Sequence, residues 1–123
     1  MNALVSIITP SYNSAKFIAE TIQSVQNQTH QNWEMIIVDD GSSDETESVV
    51  LSIIENDKRI QFHKLNQNSG PAVARNTGIE KASGDYMTFI DADDIWFSTY
   101  IENNIKTIQE TVIPFVFSSY RRA

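Results

Sequence analysis

Short apolar runs and amphipathic stretches take turns along the chain, and their order predicts an alternation of strands and helices. Leu4-Val5-Ser6-Ile7-Ile8-Thr9 is apolar and β-branched and is stopped by Pro10, the pattern of a buried strand. From Ser14 to about Gln28, the residues Phe17, Ile18, Ile22 and Val25 recur at helical spacing. Trp33 to Val38 returns to strand. Asp44, with Glu47 three residues on, gives a box-like start signal for a second helix that would turn Val49, Val50, Ile53 and Ile54 to the core. Ile60-Gln61-Phe62-His63 alternates with period two and predicts a third strand. Gly70-Pro71 sets a proline in the first turn of a helix ending shortly after residue 82, before Gly84. Tyr86 to Ile90 predicts a fourth strand. Thr99 and Glu102 form a second box-like signal, for a last helix through about Glu110 using Ile101, Ile105 and Ile108. Val112 to Phe117 predicts a fifth strand.

This order implies an α/β fold with a mainly parallel sheet and helices on both faces, since parallel neighbours need a crossover between them. Residues 1–123 are expected to form a single domain, with no internal repeat, low-complexity tract or linker. Ligands of such sheets sit beyond the carboxyl ends of the strands. That rule gathers three loops on one edge: Pro10-Ser11-Tyr12-Asn13, Asp39-Asp40-Gly41-Ser42 and Asp91-Ala92-Asp93-Asp94.

Composition narrows the chemistry. Lys plus Arg number 9 against 16 Asp plus Glu, a formal charge of -7, which argues against a nucleic-acid groove, where clustered cations are required. Without cysteine there is no disulfide framework, thiolate nucleophile or thiolate zinc site. No apolar run approaches the ~20 residues of a membrane span and no signal-like segment opens the chain. The cytoplasm is the expected compartment, with membrane association left open for a full-length protein. Asn27-Gln28-Thr29 matches a glycosylation sequon and reads as chance without a secretory signal.

The acidic clusters carry the strongest signal. Three carboxylates in four positions (Asp91, Asp93, Asp94) directly follow an apolar strand, where mutual repulsion and desolvation are costly. A divalent metal carrying a diphosphate would offset that cost. Asp39 and Asp40 end a second apolar strand, so two acidic strand ends point to a nucleotide site.

Taken together, Val5-Ser6-Ile7-Ile8-Thr9-Pro10-Ser11-Tyr12-Asn13, Ile37-Val38-Asp39-Asp40-Gly41-Ser42-Ser43-Asp44, Ala74-Arg75-Asn76-Thr77-Gly78 and Asp91-Ala92-Asp93-Asp94 resemble the family 2 glycosyltransferases, in the family's order and over nearly the whole chain. The resemblance implies a Rossmann-like GT-A fold, a nucleotide-diphosphate sugar as donor, most often with uridine, and a divalent Mn²⁺ or Mg²⁺. Asp40 would accept the uracil N3–H, the Thr9-Pro10 backbone would meet the base edge, and Tyr12 would stack on the ring. Asp39 would hold the ribose or shape its loop, and Arg75 would offer a forked cation to phosphate or base. Asp93 would be the direct metal ligand, with Asp91 a second metal ligand or, with Ala92, nearer the ribose or sugar. In an extended chain, Asp91 and Asp93 point the same way.

Each residue also has a plainer role. Asp44 can cap a helix, Asp94 can cap the turn after the strand, and Arg75 can be a solvated helix residue. His63 reads as a surface or packing residue, and His30 has no partner at metal spacing. Trp33 and Trp96 read as core aromatics, with Trp96 near enough to the acidic motif to line a site. A phospho-accepting receiver domain shares the length and the acidic pair, but its carboxylates follow strands one and three rather than two and four. No G-x-G-x-x-G follows the first strand, which counts against a dinucleotide oxidoreductase.

By the resemblance the reaction is inverting transfer to an acceptor hydroxyl of a saccharide, a lipid-linked sugar or another molecule, and it needs a general base. In the family that carboxylate lies well downstream of the Asp-x-Asp motif, so the catalytic base is expected outside this chain. The chain is expected to be the donor-binding half; a binding-only module of a larger protein is the alternative. A face left open by the absent half would favour self-association.

Overall fold

The computed structural model describes residues 2–111. Its elements follow the order β1 (Val5–Ser11), α1 (Ile18–Gln26), β2 (Trp33–Asp39), α2 (Thr46–Ile54), β3 (Ile60–Lys64), α3 (Pro71–Lys81), β4 (Tyr86–Phe89) and α4 (Tyr100–Thr111). The strand expected over Val112–Phe117 lies outside the described residues. The four strands are parallel in the order β3-β2-β1-β4. The chain therefore winds outward from β1 to β3 and then crosses to the other side of β1 for β4. That reversal opens a crevice between the carboxyl ends of β1 and β4.

Helices cover both faces. On one face Val5, Ile7, Met35 and Ile37 pack against Ile18, Ile22 and Val25 of α1, Val50 of α2, and Ile101, Ile105 and Ile108 of α4. These apolar positions fall at helical spacing on one side of each helix, and their burial is what holds the helices to the sheet. On the other face, among the described residues, α3 is the helix that packs over Ile36 and Val38, through Ala74. Its sheet-facing stripe uses small residues because the helix lies so close: a Cβ on Gly78 would stand 2.6 Å from Cγ2 of Ile8. Among the described residues, no helix is long and apolar enough to cross a membrane.

α4 begins at Tyr100, directly after Thr99 as expected, whereas α1 and α2 begin later than their start signals, and at all three starts partners distant in sequence are engaged. α1 begins at Ile18 rather than Ser14. Residues 14–17 form a turn in which the Ser14 carbonyl accepts the Phe17 and Ile18 N–H groups, both at 2.9 Å. The Ser14 N–H itself donates to Thr46 Oγ1, 32 residues away, at 2.9 Å. The Asp44–Glu47 box does not form either. Asp44 accepts the Thr46 N–H two residues ahead, and Glu47 instead meets Lys64 at 3.2 Å. At α4, Glu102 accepts the Thr29 hydroxyl, while the Ile101 N–H donates to Oε1 of buried Gln28 at 3.0 Å. Gln28 also donates to the Phe97 carbonyl at 2.6 Å, so one amide joins the end of α1 to the start of α4.

Candidate functional site

The crevice widens into an open cleft of ≈ 530 Å³, within the size range of small-molecule sites. Four loops wall it: Pro10 to Ser14 after β1, Asp40 after β2, Asn68 to Pro71 ahead of α3, and Asp91 to Asp93 after β4. Phe17 closes the α1 side, and Ala74 and Arg75 close the α3 side.

At one end two carboxylates are taken up by the protein's own donors. Asp39 is fully buried. Its carboxylate accepts the Ser11 hydroxyl at 3.2 Å, the Ser42 N–H at 2.8 Å and the Ser42 hydroxyl. Asp40, 5% exposed, takes the Ser69 N–H on Oδ1 at 2.6 Å and the Gly70 N–H on Oδ2 at 2.9 Å. Both donors lie at the start of α3, where backbone N–H groups would otherwise lack partners. Asp40 thus holds α3, and with it Arg75, over the cleft. A carboxylate has about four acceptor positions, so it retains capacity toward the cleft.

At the other end Asp91, Asp93 and Asp94 converge, with one carboxylate oxygen of each within 4.8 Å of the others. The convergence comes from a turn rather than from an extended strand: the Asp94 N–H donates to the Asp91 carbonyl at 3.0 Å. This corrects the alternation expected for Asp91 and Asp93, and brings in Asp94. The turn is braced from beneath, because Thr21 of α1 donates its hydroxyl to the carbonyl of buried Ala92 at 2.9 Å. Three convergent hard oxygen donors, with nothing softer among them, fit Mg²⁺ or Mn²⁺.

The structure brings Pro10, Tyr12, Asp40, Arg75, Asp91, Ala92 and Asp93 to one cleft, with Tyr12 half exposed at its mouth. It does not bring Thr9 or Asp39 to the wall. Both are fully buried, Thr9 inside β1 opposite Ile37 and Asp39 beneath its loop. Trp96 also lies off the cleft, in the core and stacked on Tyr100 at 4.2 Å between ring centroids. His30 and His63 are elsewhere too, bonded to the Ala3 carbonyl and the Gln61 side chain. Burial holds the His63 ring below the usual imidazole range, with the Lys81 charge adding to the effect.

Phe17, Asn68 and Asn13 also line the cleft. Phe17, expected on the apolar stripe of α1, instead precedes that helix and is half exposed. Asn13 was expected only as part of its edge loop, and Asn68 was not expected there. Asn68 donates to the Asp40 carbonyl at 3.3 Å. Asn13 has φ 47°, the one positive φ outside glycine among the described residues. An asparagine directly after a strand-ending Pro-Ser-Tyr was the available signal, since asparagine tolerates that conformation better than most side chains.

Comparison with known proteins gives three concordant findings. Residues 6–122 match the family described as Glycosyl transferase family 2. An Escherichia coli protein named UDP-Glc:alpha-D-GlcNAc-diphosphoundecaprenol beta-1,3-glucosyltransferase is 42% identical over 117 residues, 95% of this chain and 46% of its own length. Among solved structures, S. aureus TarS in complex with UDP-GlcNAc superimposes with a TM-score of 0.80 at 31% identity, covering 86% of this chain and 31% of that one. A mannosyltransferase from Pyrobaculum calidifontis in complex with GDP-Man and Mn²⁺ gives 0.82 at 27% identity, covering 88% and 33%. The chain spans less than half the length of the curated relatives it matches.

Proposed function

The chain belongs to glycosyltransferase family 2, and from that premise we propose that it binds a uridine-diphosphate sugar together with a divalent metal, for inverting transfer to an acceptor hydroxyl. The observation that carries this reading is the division of one cleft into an acceptor-rich end at Asp40 and an acidic turn at Asp91–Asp94. In this reading the base lies against Tyr12, and Asp40 accepts its N3–H with the capacity left by Ser69 and Gly70. Pro10, at the wall, takes the base-edge contact assigned to the Thr9-Pro10 backbone. The ribose and sugar extend past Ala92 and Asp91, and Arg75 reaches the phosphates as a forked cation.

Asp93, with Asp91, would hold the Mn²⁺ or Mg²⁺, which would counter the charge that builds on the departing diphosphate. Support comes from the donor set of the turn and from the Mn²⁺ complex of the similar mannosyltransferase. The UDP-GlcNAc complex of TarS supports uridine. The named activity of the Escherichia coli relative supports a lipid-linked saccharide as acceptor.

The test is calorimetric titration of UDP into the protein with and without Mn²⁺, beside Asp93→Asn. Metal-dependent binding that disappears in the variant is the expected result. Equal heats in both proteins, or none from folded protein, would overturn the assignment.

A further inference from the structure

We propose that Asn13 is a positioning residue for the nucleobase, acting as a staple whose bonds to the loop after β2 fix Tyr12 relative to Asp40. The inference rests on the nucleotide reading above and adds a residue to it.

Its basis is the wiring between the loops after β1 and β2. The side-chain carbonyl of Asn13 accepts the Ser43 N–H at 2.8 Å and the Asp44 N–H at 3.3 Å. Its own N–H donates to Ser42 Oγ at 2.8 Å. That hydroxyl donates onward to the buried carboxylate of Asp39, which also holds Ser11. A run of hydrogen bonds therefore leads from a fully buried anion, through Ser42, to the backbone directly after Tyr12. The Asp40 N–H donates to the Ser11 carbonyl at 2.8 Å, so the residues on either side of Tyr12 are tied to the Asp39-Asp40 loop.

The left-handed backbone at Asn13 turns the chain so that both its N–H and its side chain face that loop. Most other residues would resist this conformation, and glycine would adopt it without supplying the carbonyl. Tyr12 is 52% exposed, so little packing sets its direction. The staple beside it sets the backbone from which the ring projects. Asp40 selects a base by its acceptor-only carboxylate, which suits uracil N3–H and opposes the N3 acceptor of cytosine. That selection works only if the stacked ring meets the carboxylate in register, which is the task assigned to Asn13.

The experiment measures the affinity of UDP and CDP in Mn²⁺ for the wild-type chain, Asn13→Gly and Ser42→Ala, with a thermal melt of each. Asn13→Gly keeps the backbone conformation and removes the carbonyl; Ser42→Ala cuts the same run of bonds at its other link. The expected result is a roughly tenfold loss of UDP affinity in both variants, with CDP changed less than about twofold, so that base discrimination narrows. Parallel loss of both nucleotides, or unchanged UDP affinity, would overturn the proposal and make Asn13 an ordinary loop residue. If the wild-type chain bound neither nucleotide, the nucleotide reading would fail and this proposal with it. Wild-type selectivity that persists in the variants would sink this proposal alone.

Discussion

The two acidic ends of the cleft solve the same electrostatic problem in opposite ways. Asp39 and Asp40 are buried, and their carboxylates receive hydroxyls and backbone N–H groups from within the fold. Asp91 and Asp93 are exposed and crowd one another with Asp94 on a single turn. The first arrangement is organised by neutral donors and contributes to the fold. The second concentrates negative charge where an added cation would relieve it. A further carboxylate, Asp57, shows what the protein does when it supplies its own cation: Arg59 donates to both of its oxygens at 2.9 Å. An acidic motif therefore says little until the origin of its compensation is known.

Breaking the contrast at the exposed end should give the largest effect. Asp93→Asn is expected to lower UDP affinity in Mn²⁺ by about a hundredfold or more, roughly 3 kcal/mol, on the titration described above. Its melting temperature should scarcely move, because exposed substitutions cost within about 0.5 kcal/mol. Asp39→Ala should register first in stability. It leaves Ser11 and Ser42 donors without their acceptor, at a cost of about 2 kcal/mol in urea denaturation.

Asp40→Asn falls between the two. An amide can accept through only one of the two positions that now hold Ser69 and Gly70. A loss of about 1 kcal/mol in stability is expected in the same urea assay, together with weakened UDP binding.

The smallest effect sharpens the comparison at Asp57. The Arg59 hydrogen bonds hold its carboxyl down at about 2, below its ordinary 3.8. A depressed folded-state pKa gives stability that is present above about pH 3.8 and lost as the pH falls through about 2. Unfolding free energies of wild type and Asp57→Asn from urea denaturation should therefore differ at pH 5, by less than about 1 kcal/mol for a pair near the surface, and converge as the pH falls below about 2.

Much of this architecture could be read from periodicity, and the reason is physical. The strands β1 and β2 are nearly continuous apolar runs because both of their faces are covered, and α1 and α4 carry apolar stripes because each has one buried side. The strand ends followed from the same pattern, so three of the four loops at the cleft were legible as well, the one ahead of α3 being missed. What periodicity could not reveal were partners far away in sequence. Gln28 serves the start of α4 from 73 residues back, and Asp40 serves Ser69 and Gly70 from about 30. Local spacing placed helix boxes at Asp44 and Thr99, but Glu47 and Glu102 found partners outside their own helices. Asp39 and Asp40 are identical neighbours in sequence. Only the packing shows that one is sealed beneath its loop while the other lines the cleft.

The near contact between Gly78 and Ile8 has a consequence for how such a site can be retuned. α3 rests on the sheet almost backbone to side chain, at a separation set by residues 74 and 78. The clearance between Arg75 and the opposite wall is therefore governed from underneath, by the bulk at position 78, which lies off the cleft. One added methyl at position 78 would lift the helix and draw its guanidinium away from the cleft. A bulkier donor could be admitted by altering the floor while every residue that touches it stays the same.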